Sequence, residues 1–231
     1  MSIKENIEII KEQMKKAAES SDREAEKVLL CAVTKTRTAE EINEAIKAGI
    51  TDIGENKVQE IMDKYDSVLP VKWHLIGHLQ TNKVKYIIDK VSLIHSVDSL
   101  RLAEEISKRA KVHNKVMDIL IQVNSAMEES KFGITTEETG KLIEDILDTC
   151  PNVRIKGLMC IAPFEEDPQE TAVYFAEVKK LYDEYSKIEH ERVDFEYLSM
   201  GMSNDFEVAI ANGSNLVRVG TAIFGQRDYS K

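Results

Sequence analysis

The stretch VLLCAVTKTRTAEEINEAIKAGITDIGEN, residues 28–56, decides the fold because it has the pattern of one strand–helix–strand unit. It begins and ends with apolar runs, VLLCAV and ITDIG. Between the runs, Thr38 and Glu41 have the spacing of a capping box at a helix start, and Gly49 stands where that helix should end. Runs that are apolar nearly throughout are typical of parallel strands buried on both faces.

The same alternation continues along the whole chain. Helical patterns separate the apolar runs, and two further helix starts are indicated by Thr135 with Glu138 and by Asp167 before Pro168. The eight runs are VLLCAV (28–33), ITDIG (50–54), KWHLIG (72–77), VSLIHSV (91–97), MDILIQV (117–123), VRIKGLM (153–159), FEYLSM (195–200) and LVRVG (216–220). The pattern predicts an α/β fold with eight parallel strands.

Eight such units can close into a barrel or lie as an open, doubly wound sheet. No glycine-rich G-x-G-x-x-G turn follows the first run, which removes the usual dinucleotide-binding signal of the open form. An amphipathic helix precedes the first strand, with apolar residues at helical spacing from Ile3 to Ala17 and a capping box at Ser2 and Glu5. We therefore predict a (β/α)8 TIM barrel with an extra N-terminal helix, forming a single domain over residues 1–231.

Composition and charge limit the functions to consider. The chain has 42% hydrophobic and 31% charged residues, as expected for a globular protein, and a net charge of −10 argues against nucleic acid and anionic membranes as partners. There is no signal peptide pattern and no apolar run of about 18 residues. The three cysteines, Cys31, Cys150 and Cys160, form no close pair and are expected to be buried, reduced thiols. We expect a cytoplasmic protein.

In barrels of this kind the chemistry lies on the loops that follow the strands. The chain places a compact set of polar residues at those positions. They are Lys35 after the first strand; Glu55 and Asn56 after the second; His78, Gln80, Asn82 and Lys83 after the third; Asn124 after the fifth; Ser199 and Ser203 after the seventh; and Arg218, Gly220 and Thr221 at the eighth.

Each of these positions has more than one interpretation. Lys35 is either a surface lysine or an amine drawn into the barrel mouth, where desolvation disfavours the ammonium form and suits a Schiff-base nucleophile. Ser203 is either a helix cap or, with Gly220 and Thr221, part of a phosphate site after strands seven and eight. Arg218, inside the last strand, needs either a structural salt bridge or a bound anion or ligand.

The histidines do not predict a metal site. No pair among His74, His78 and His95 has the short spacing of a metal-ligand motif. Because His74 and His95 fall within predicted strands, we expect them to be hydrogen-bonded structural residues.

Several strand-end segments, taken in order, resemble one known family. They are AVTK (32–35), IGENKVQE (53–60), WHLIGHLQTNK (73–83), QVN (122–124), ESKFG (129–133), GLM (157–159), LSMGMSND (198–205) and VRVGTAIFGQR (217–227). Together they are similar to the YggS/PROSC family of pyridoxal-phosphate homeostasis proteins over nearly the whole chain. That family's fold resembles the barrel domain at the N-terminus of alanine racemase, and its cofactor is pyridoxal 5′-phosphate.

The resemblance implies a role for each of seven cofactor-binding residues. Lys35 would carry the cofactor as a Schiff base. Ser203, Gly220 and Thr221 would hold the phosphate, whereas Ser199 and Asn56 would line the pocket. Arg218 would face the pyridine nitrogen, where a fixed cation makes the ring a weaker electron sink.

The resemblance also favours a carrier over an enzyme. We expect a protein that buffers the cofactor, supports vitamin B6 and amino-acid homeostasis, supplies apoenzymes that depend on pyridoxal phosphate, and has no robust catalytic activity. No residue is nominated as catalytic, since the chain ends at Lys231 without the β domain that supplies a second acid/base group and a dimer contact in alanine racemases; a monomer is expected.

Two alternatives to the carrier remain. One is a slow amino-acid racemase that uses the same lysine, and the other is a sugar-phosphate lyase in which Lys35 bonds to the substrate directly. Lys83 and Lys131 form either a secondary basic patch for a phosphorylated vitamer or two solvated lysines. The chain departs from the family pattern at Lys57 and His78, so these two residues receive no assigned role.

Overall fold

The computed structural model describes residues 1–126, 128 and 132–226. Its eight strands are all parallel and pair in sequence order, and β8 pairs back onto β1, so the sheet closes into a barrel. The strands are β1 (Leu29–Val33), β2 (Asp52–Glu55), β3 (Lys72–Leu75), β4 (Leu93–Val97), β5 (Met117–Val123), β6 (Val153–Cys160), β7 (Val193–Ser199) and β8 (Leu216–Val219). The predicted barrel and all eight predicted strands are confirmed.

Helices connect the strands and cover the outside of the barrel. The α-helices are α1 (Ile3–Glu19), α2 (Ala39–Lys47), α3 (Val58–Lys64), α4 (Leu100–Val112), α5 (Thr139–Thr149), α6 (Ala172–Tyr185), α7 (Phe206–Ala211) and α8 (Thr221–Phe224). A 3-10 helix, Thr81–Tyr86, lies between β3 and β4. No helix within the described residues is both long and apolar enough to cross a membrane.

The predicted extra N-terminal helix is confirmed, and it packs against helices α7 and α8. The predicted capping box of α1 is present, because Ser2 and Glu5 bond to each other's backbone N–H. Buried Ile7 and Ile10 lie on the inner face of α1, which packs against α7 and α8. Asn6 adds a bond from its side-chain amide to the Ile223 carbonyl, at 2.8 Å.

Two helix starts lie later than the sequence predicts. Thr135 and Glu138 make the reciprocal bonds of a capping box, but they close a turn, and α5 begins at Thr139. Asp167 accepts a bond from the backbone of Gln169 and so caps a 3-10 turn that leads into α6. In both places the capping hydrogen bonds are present, but one further turn of backbone lies between the capping residue and the first residue of the α-helix.

The barrel interior contains an apolar layer separate from the larger core between sheet and helices. Cys31, Leu93, Leu120, Met159 and Leu216 form this inner cluster. Burial raises the pKa of Cys31 far above its ordinary value, with the charge of Asp52 acting in the same direction. All three cysteines are buried and free, as predicted.

Gly157 sits at an irregular point of the sheet. The register of β6 shifts against both β5 and β7 near this residue. Its φ is +137°, and a Cβ built there would lie 1.8 Å from the carbonyl oxygen of Tyr197. Only glycine fits, because a side chain would meet backbone that cannot move without breaking the β6–β7 pairing.

We expect Gly157→Ala to destabilise the fold by more than about 3 kcal/mol, measured by urea unfolding. The matched control is Gly49→Ala, where φ is +91° but the nearest atom to a new Cβ is the Lys11 Nζ at 3.5 Å. Strain alone should cost the control about 1–2 kcal/mol. Equal losses in the two variants would show that the Tyr197 contact does not constrain the sheet.

Candidate cofactor site

The seven predicted site residues all lie at the carboxyl-terminal end of the barrel. β1 pairs with β2 on one side and with β8 on the other, which places the Lys35 loop between the ends of these strands. Lys35 is half-buried two residues after β1, and Asn56 directly follows β2. Ser199 ends β7, Arg218 lies within β8, and the remaining three residues follow these strands. The fold thus brings to one end of the barrel residues that are up to 186 positions apart in the chain, from Lys35 to Thr221.

The residue after Lys35 has a strained backbone. Thr36 has a φ of +64°, a left-handed conformation that is rare for a β-branched residue. Its N–H donates to the Glu60 Oε2 at 2.6 Å. A charged acceptor therefore stabilises a conformation that costs on the order of 1–3 kcal/mol, and strain of this kind is concentrated at functional sites.

A buried ion cluster holds both neighbours of Lys35. Lys64 donates to the Glu55 Oε1 at 2.8 Å, to the Glu60 Oε2 at 2.8 Å and to the Thr34 carbonyl at 3.0 Å. The Thr34 hydroxyl donates to the same Glu55 oxygen at 2.7 Å. The Lys64 cluster, meaning Glu55, Glu60 and Lys64, thus fixes the chain immediately before and after Lys35.

The two carboxyl groups of the Lys64 cluster differ in environment. Burial raises the pKa of Glu55, and the bond from Lys64 only partly opposes this. For Glu60, burial also raises the pKa, but the bonds from Lys64 and the Thr36 N–H outweigh it, and the net direction is downward. Glu55 is fully buried and its Oε2 has no hydrogen-bond partner among the described residues.

Arg218 is buried inside the barrel wall with an exposure of 3%. Its Nη1 donates to the carbonyl and the hydroxyl of Ser199, at 2.8 and 2.5 Å, and its Nη2 donates to the Cys160 carbonyl at 2.8 Å. Within the described residues it forms no salt bridge, so the structural ion pair considered from the sequence is not found. Burial lowers the pKa of Arg218, and the charge of Asp205 opposes this only in part.

A row of buried polar residues continues from Arg218 across the barrel interior. The Ser199 hydroxyl lies 3.0 Å from the His95 Nδ1, and the His95 Nε2 lies 2.9 Å from the His74 Nδ1. The His74 Nε2 lies 3.0 Å from the Asp52 Oδ1. We call these five residues, Asp52, His74, His95, Ser199 and Arg218, the polar belt. The prediction that both histidines are hydrogen-bonded within strands is confirmed.

The predicted phosphate residues also meet, though not as a helix cap. Helix α7 begins at Phe206 rather than at Ser203, because the Asp205 Oδ1 accepts from the Met202 N–H and holds an intervening turn. The Ser203 hydroxyl instead accepts from the N–H groups of Gly220 and Ala222, at 3.3 and 3.4 Å. It therefore joins the loop after β7 to the loop after β8.

Gly220 brings β8 against β1. A Cβ at this position would lie 3.1 Å from the Val33 Cβ and 3.2 Å from its carbonyl oxygen, so a larger residue would require Val33 to shift by a few tenths of an ångström. Thr221 is exposed as the first residue of α8. The loop around Lys35 and the loop after β8 are consequently direct neighbours.

Other sequence candidates lie to one side of these residues. Lys57, His78 and Lys83 line a cleft of about 500 Å³ that reaches Asn56. The exposed His78 ring stacks on Phe132, with centroids 3.8 Å apart. Lys131 lies outside the described residues. A larger cleft of about 610 Å³ lies at the opposite end of the barrel, beside the start of β1, away from the converging strand ends.

Sequence reasoning missed Lys64 and Asp52. Lys64 looks like an ordinary last-turn lysine of a helix, and its i,i+4 spacing from Glu60 was the only local signal of a partner. Asp52 interrupts the apolar run ITDIG, and a carboxylate inside a buried strand was a signal that a partner must exist.

The fold and the site geometry define a barrel of the alanine racemase type. Residues 2–228 match the family model described as the alanine racemase N-terminal domain. An alanine racemase of Clostridium difficile shares the fold at a TM-score of 0.69 and 16% identity, over 98% of this chain and 57% of that one.

Relatives of higher sequence identity identify the family within this fold type. The chain is 44% identical to the pyridoxal phosphate homeostasis protein of Aquifex aeolicus, over 99% of this chain and 100% of that protein. It is 33% identical to PipY of Synechococcus elongatus in the structure with PLP bound, with a TM-score of 0.77 over 92% of this chain and 100% of that one. The chain therefore belongs to the family of pyridoxal phosphate homeostasis proteins.

The Lys64 cluster makes a stability prediction. In Lys64→Met the buried Glu55 carboxylate loses its cation, and we expect a loss of about 3 kcal/mol at pH 7 in urea unfolding. Because the folded pKa of Glu55 is raised, its protonated form favours folding below the ordinary value of 4.5, and this contribution disappears as the pH rises through the folded pKa. The deficit of the variant should therefore grow from pH 4.5 to pH 7.

Lys141→Met is the matched control, since Lys141 forms an exposed i,i+4 pair with Asp145. It should unfold like the wild type at every pH, because exposed pairs contribute little. A pH-independent deficit in Lys64→Met would contradict the assignment of a buried Glu55 charge.

Proposed function

We propose that this chain binds pyridoxal 5′-phosphate through a Schiff base at Lys35 and carries and buffers the cofactor in vitamin B6 and amino-acid homeostasis. The relatives support this proposal. The Aquifex aeolicus protein is named a pyridoxal phosphate homeostasis protein, and PipY was solved with PLP bound. Both align with nearly all of this chain.

The observation that carries the proposal is the buried Arg218 guanidinium at the same end of the barrel as Lys35. The wall satisfies three of its N–H donors with neutral acceptors, and within the described residues no carboxylate forms a salt bridge with it. A pyridine ring nitrogen offers a lone pair of the kind that a guanidinium donor requires. The residues present therefore fit the cofactor assigned to them.

The opposite end of the cofactor carries a phosphate, and the loops after β7 and β8 suit it. Ser203, Gly220 and Thr221 are the residues we assign to the phosphate, with hydroxyl groups and backbone N–H groups as donors. The Ser203 hydroxyl already joins the two loops. Loops at this position are the common phosphate site of the fold.

Asn56 and Ser199 complete the proposed pocket in different ways. Asn56 is half-buried at the mouth, and Gly77 packs against its backbone so closely that a Cβ there would lie 2.3 Å from the Asn56 carbonyl oxygen. Ser199 is fully buried and bonded to Arg218, so its contribution acts through the guanidinium.

Arg218 also bears on how strongly the bound cofactor would promote catalysis. When bound, pyridoxal phosphate acts as an electron sink for carbanions, most strongly with a protonated ring nitrogen. A fixed guanidinium beside that nitrogen disfavours its protonation. This favours a carrier with weak turnover, which releases the cofactor when an external amine replaces Lys35.

The proposal extends to partners and location. A carrier needs recipients, and apoenzymes that require pyridoxal phosphate are the recipients we propose. We further propose that residues 1–231 act as a single domain, as a monomer in the cytoplasm, where such recipients occur. The net charge of −10 supports a freely diffusing protein that does not adhere to nucleic acid or anionic membranes.

Borohydride reduction with pyridoxal phosphate tests the site. We expect a visible absorption band in the wild type and, after reduction, one phosphopyridoxyl group mapped to Lys35 by peptide mass spectrometry. Lys35→Ala should lose both signals, whereas Lys57→Ala, which removes an exposed lysine of the neighbouring loop, should retain both.

An adduct that persists in Lys35→Ala would contradict the assignment. Deuterium exchange at the α carbon of an L-amino acid measures turnover in the same preparation. We expect little or no exchange. Rapid exchange would replace the carrier function with racemase activity at the same lysine.

A further inference from the structure

The polar belt occupies a layer of the barrel that is normally apolar. Its residues come from β2, β3, β4, β7 and β8. On either side of β1, Asp52 and Arg218 are both register partners of Cys31, so a single strand separates the two charged ends on that side. The step from His95 in β4 to Ser199 in β7 crosses the barrel interior. The belt therefore connects a buried cation to a buried anion by hydrogen bonds.

With two neutral imidazoles, the charged ends determine the direction of every hydrogen bond in the belt. Arg218 has only donors, so the Ser199 hydroxyl oxygen accepts from it. Burial raises the pKa of Asp52, but its bonds from His74 and Thr51 outweigh this and the net direction is downward, so Asp52 is ionised and only accepts. The belt thus begins with an obligatory donor and ends with an obligatory acceptor.

The hydrogens between these ends follow one by one. Ser199 has a single hydroxyl hydrogen, which it donates to the His95 Nδ1. His95 then carries its proton on Nε2 and donates to the His74 Nδ1. His74 in turn carries its proton on Nε2 and donates to Asp52. This order keeps both imidazoles neutral with the proton on Nε2, whereas the reverse polarity would require an imidazolium at His74.

The state of His95 agrees with this assignment. Burial, the largest cause, lowers the pKa of His95 well below its ordinary value, and the positive charge of Arg218 acts in the same direction. A neutral ring with a free Nδ1 lone pair accepts a hydrogen bond from the Ser199 hydroxyl. The lone pairs of that oxygen are then directed to the Nη1 of Arg218.

We infer that His95 and His74 are positioning residues for Arg218: through Ser199 they hold the guanidinium in the orientation that receives the ring nitrogen of the bound cofactor. This role rests on the proposed function. Without an acceptor at His95 the Ser199 hydroxyl would rotate and its lone pairs would no longer be aligned with Arg218, so the two carbonyl bonds alone would hold the guanidinium firmly.

Two substitutions at His95 separate this role from simple packing. In His95→Asn the side-chain oxygen lies near the former Nδ1 and still accepts from Ser199. In His95→Gln the amide extends to the former Nε2, so the bond to His74 is kept and the Ser199 bond is lost. The same two substitutions at exposed His113 are the matched controls.

The cofactor dissociation constant, from titration of the visible band, is the readout. We expect His95→Asn to bind within about twofold of the wild type and His95→Gln about tenfold more weakly, with a shifted absorption band, as the loss of one hydrogen bond to a charged group implies. The His113 variants should match the wild type. Equal binding by wild type and both His95 variants would overturn the inference while leaving the proposed function intact.

Ring-nitrogen NMR of the wild type without cofactor tests the belt independently of any variant. We expect both histidines as neutral tautomers with the proton on Nε2. An imidazolium at His74, or a proton on the Nδ1 of His95, would overturn the inference even if a His95 variant failed to fold. Failure of the wild type to bind pyridoxal phosphate would instead overturn the proposed function, and with it this role.

Discussion

A guanidinium buried in a parallel barrel requires acceptors from its surroundings, because an unsatisfied cation away from water is strongly destabilising. Arg218 finds them in two carbonyl groups and one hydroxyl of the neighbouring strands. These acceptors are neutral, so none of them forms an ion pair with the guanidinium. The polar residues that continue from Ser199 to Asp52 are a consequence of this burial, since each satisfies the hydrogen-bonding group of the one before it.

The Lys35 loop, on the other side of the site, is also held in one conformation, but by ion pairs rather than by neutral acceptors. Lys64 bonds to two carboxylates and one carbonyl, and these groups fix Thr34 and the strained Thr36 on either side of Lys35. A lysine on a fixed backbone loses less conformational freedom when its amine forms a bond. Arg218 and Lys35 therefore lie on two walls of the site. Each wall is stabilised by its own hydrogen-bond network, and the two walls meet where β8 pairs with β1.

The sequence was sufficient for the architecture and for placing the proposed site residues near the strand ends, and insufficient for the contacts among them. Apolar runs and capping boxes predict strands and helices because these signals are local, and they placed Lys35 and Arg218 at the correct strand ends. The contacts from Asp52 to His74 and from Glu55 to Lys64 depend on strand register and on how α3 folds back, which no local pattern specifies. Ser203 was placed at a helix start for the same reason, since the bond from Met202 to Asp205 that delays the helix is visible only in three dimensions.

A crystal structure of the protein grown with pyridoxal phosphate is the most direct measurement of whether these two walls enclose one cofactor. We expect continuous density between the Lys35 Nζ and the former aldehyde carbon, a guanidinium nitrogen of Arg218 about 3 Å from the ring nitrogen, and the phosphate beside Ser203. A cofactor joined to another lysine, such as Lys83 in the neighbouring cleft, or a ring turned away from Arg218, would contradict the assignment of the site.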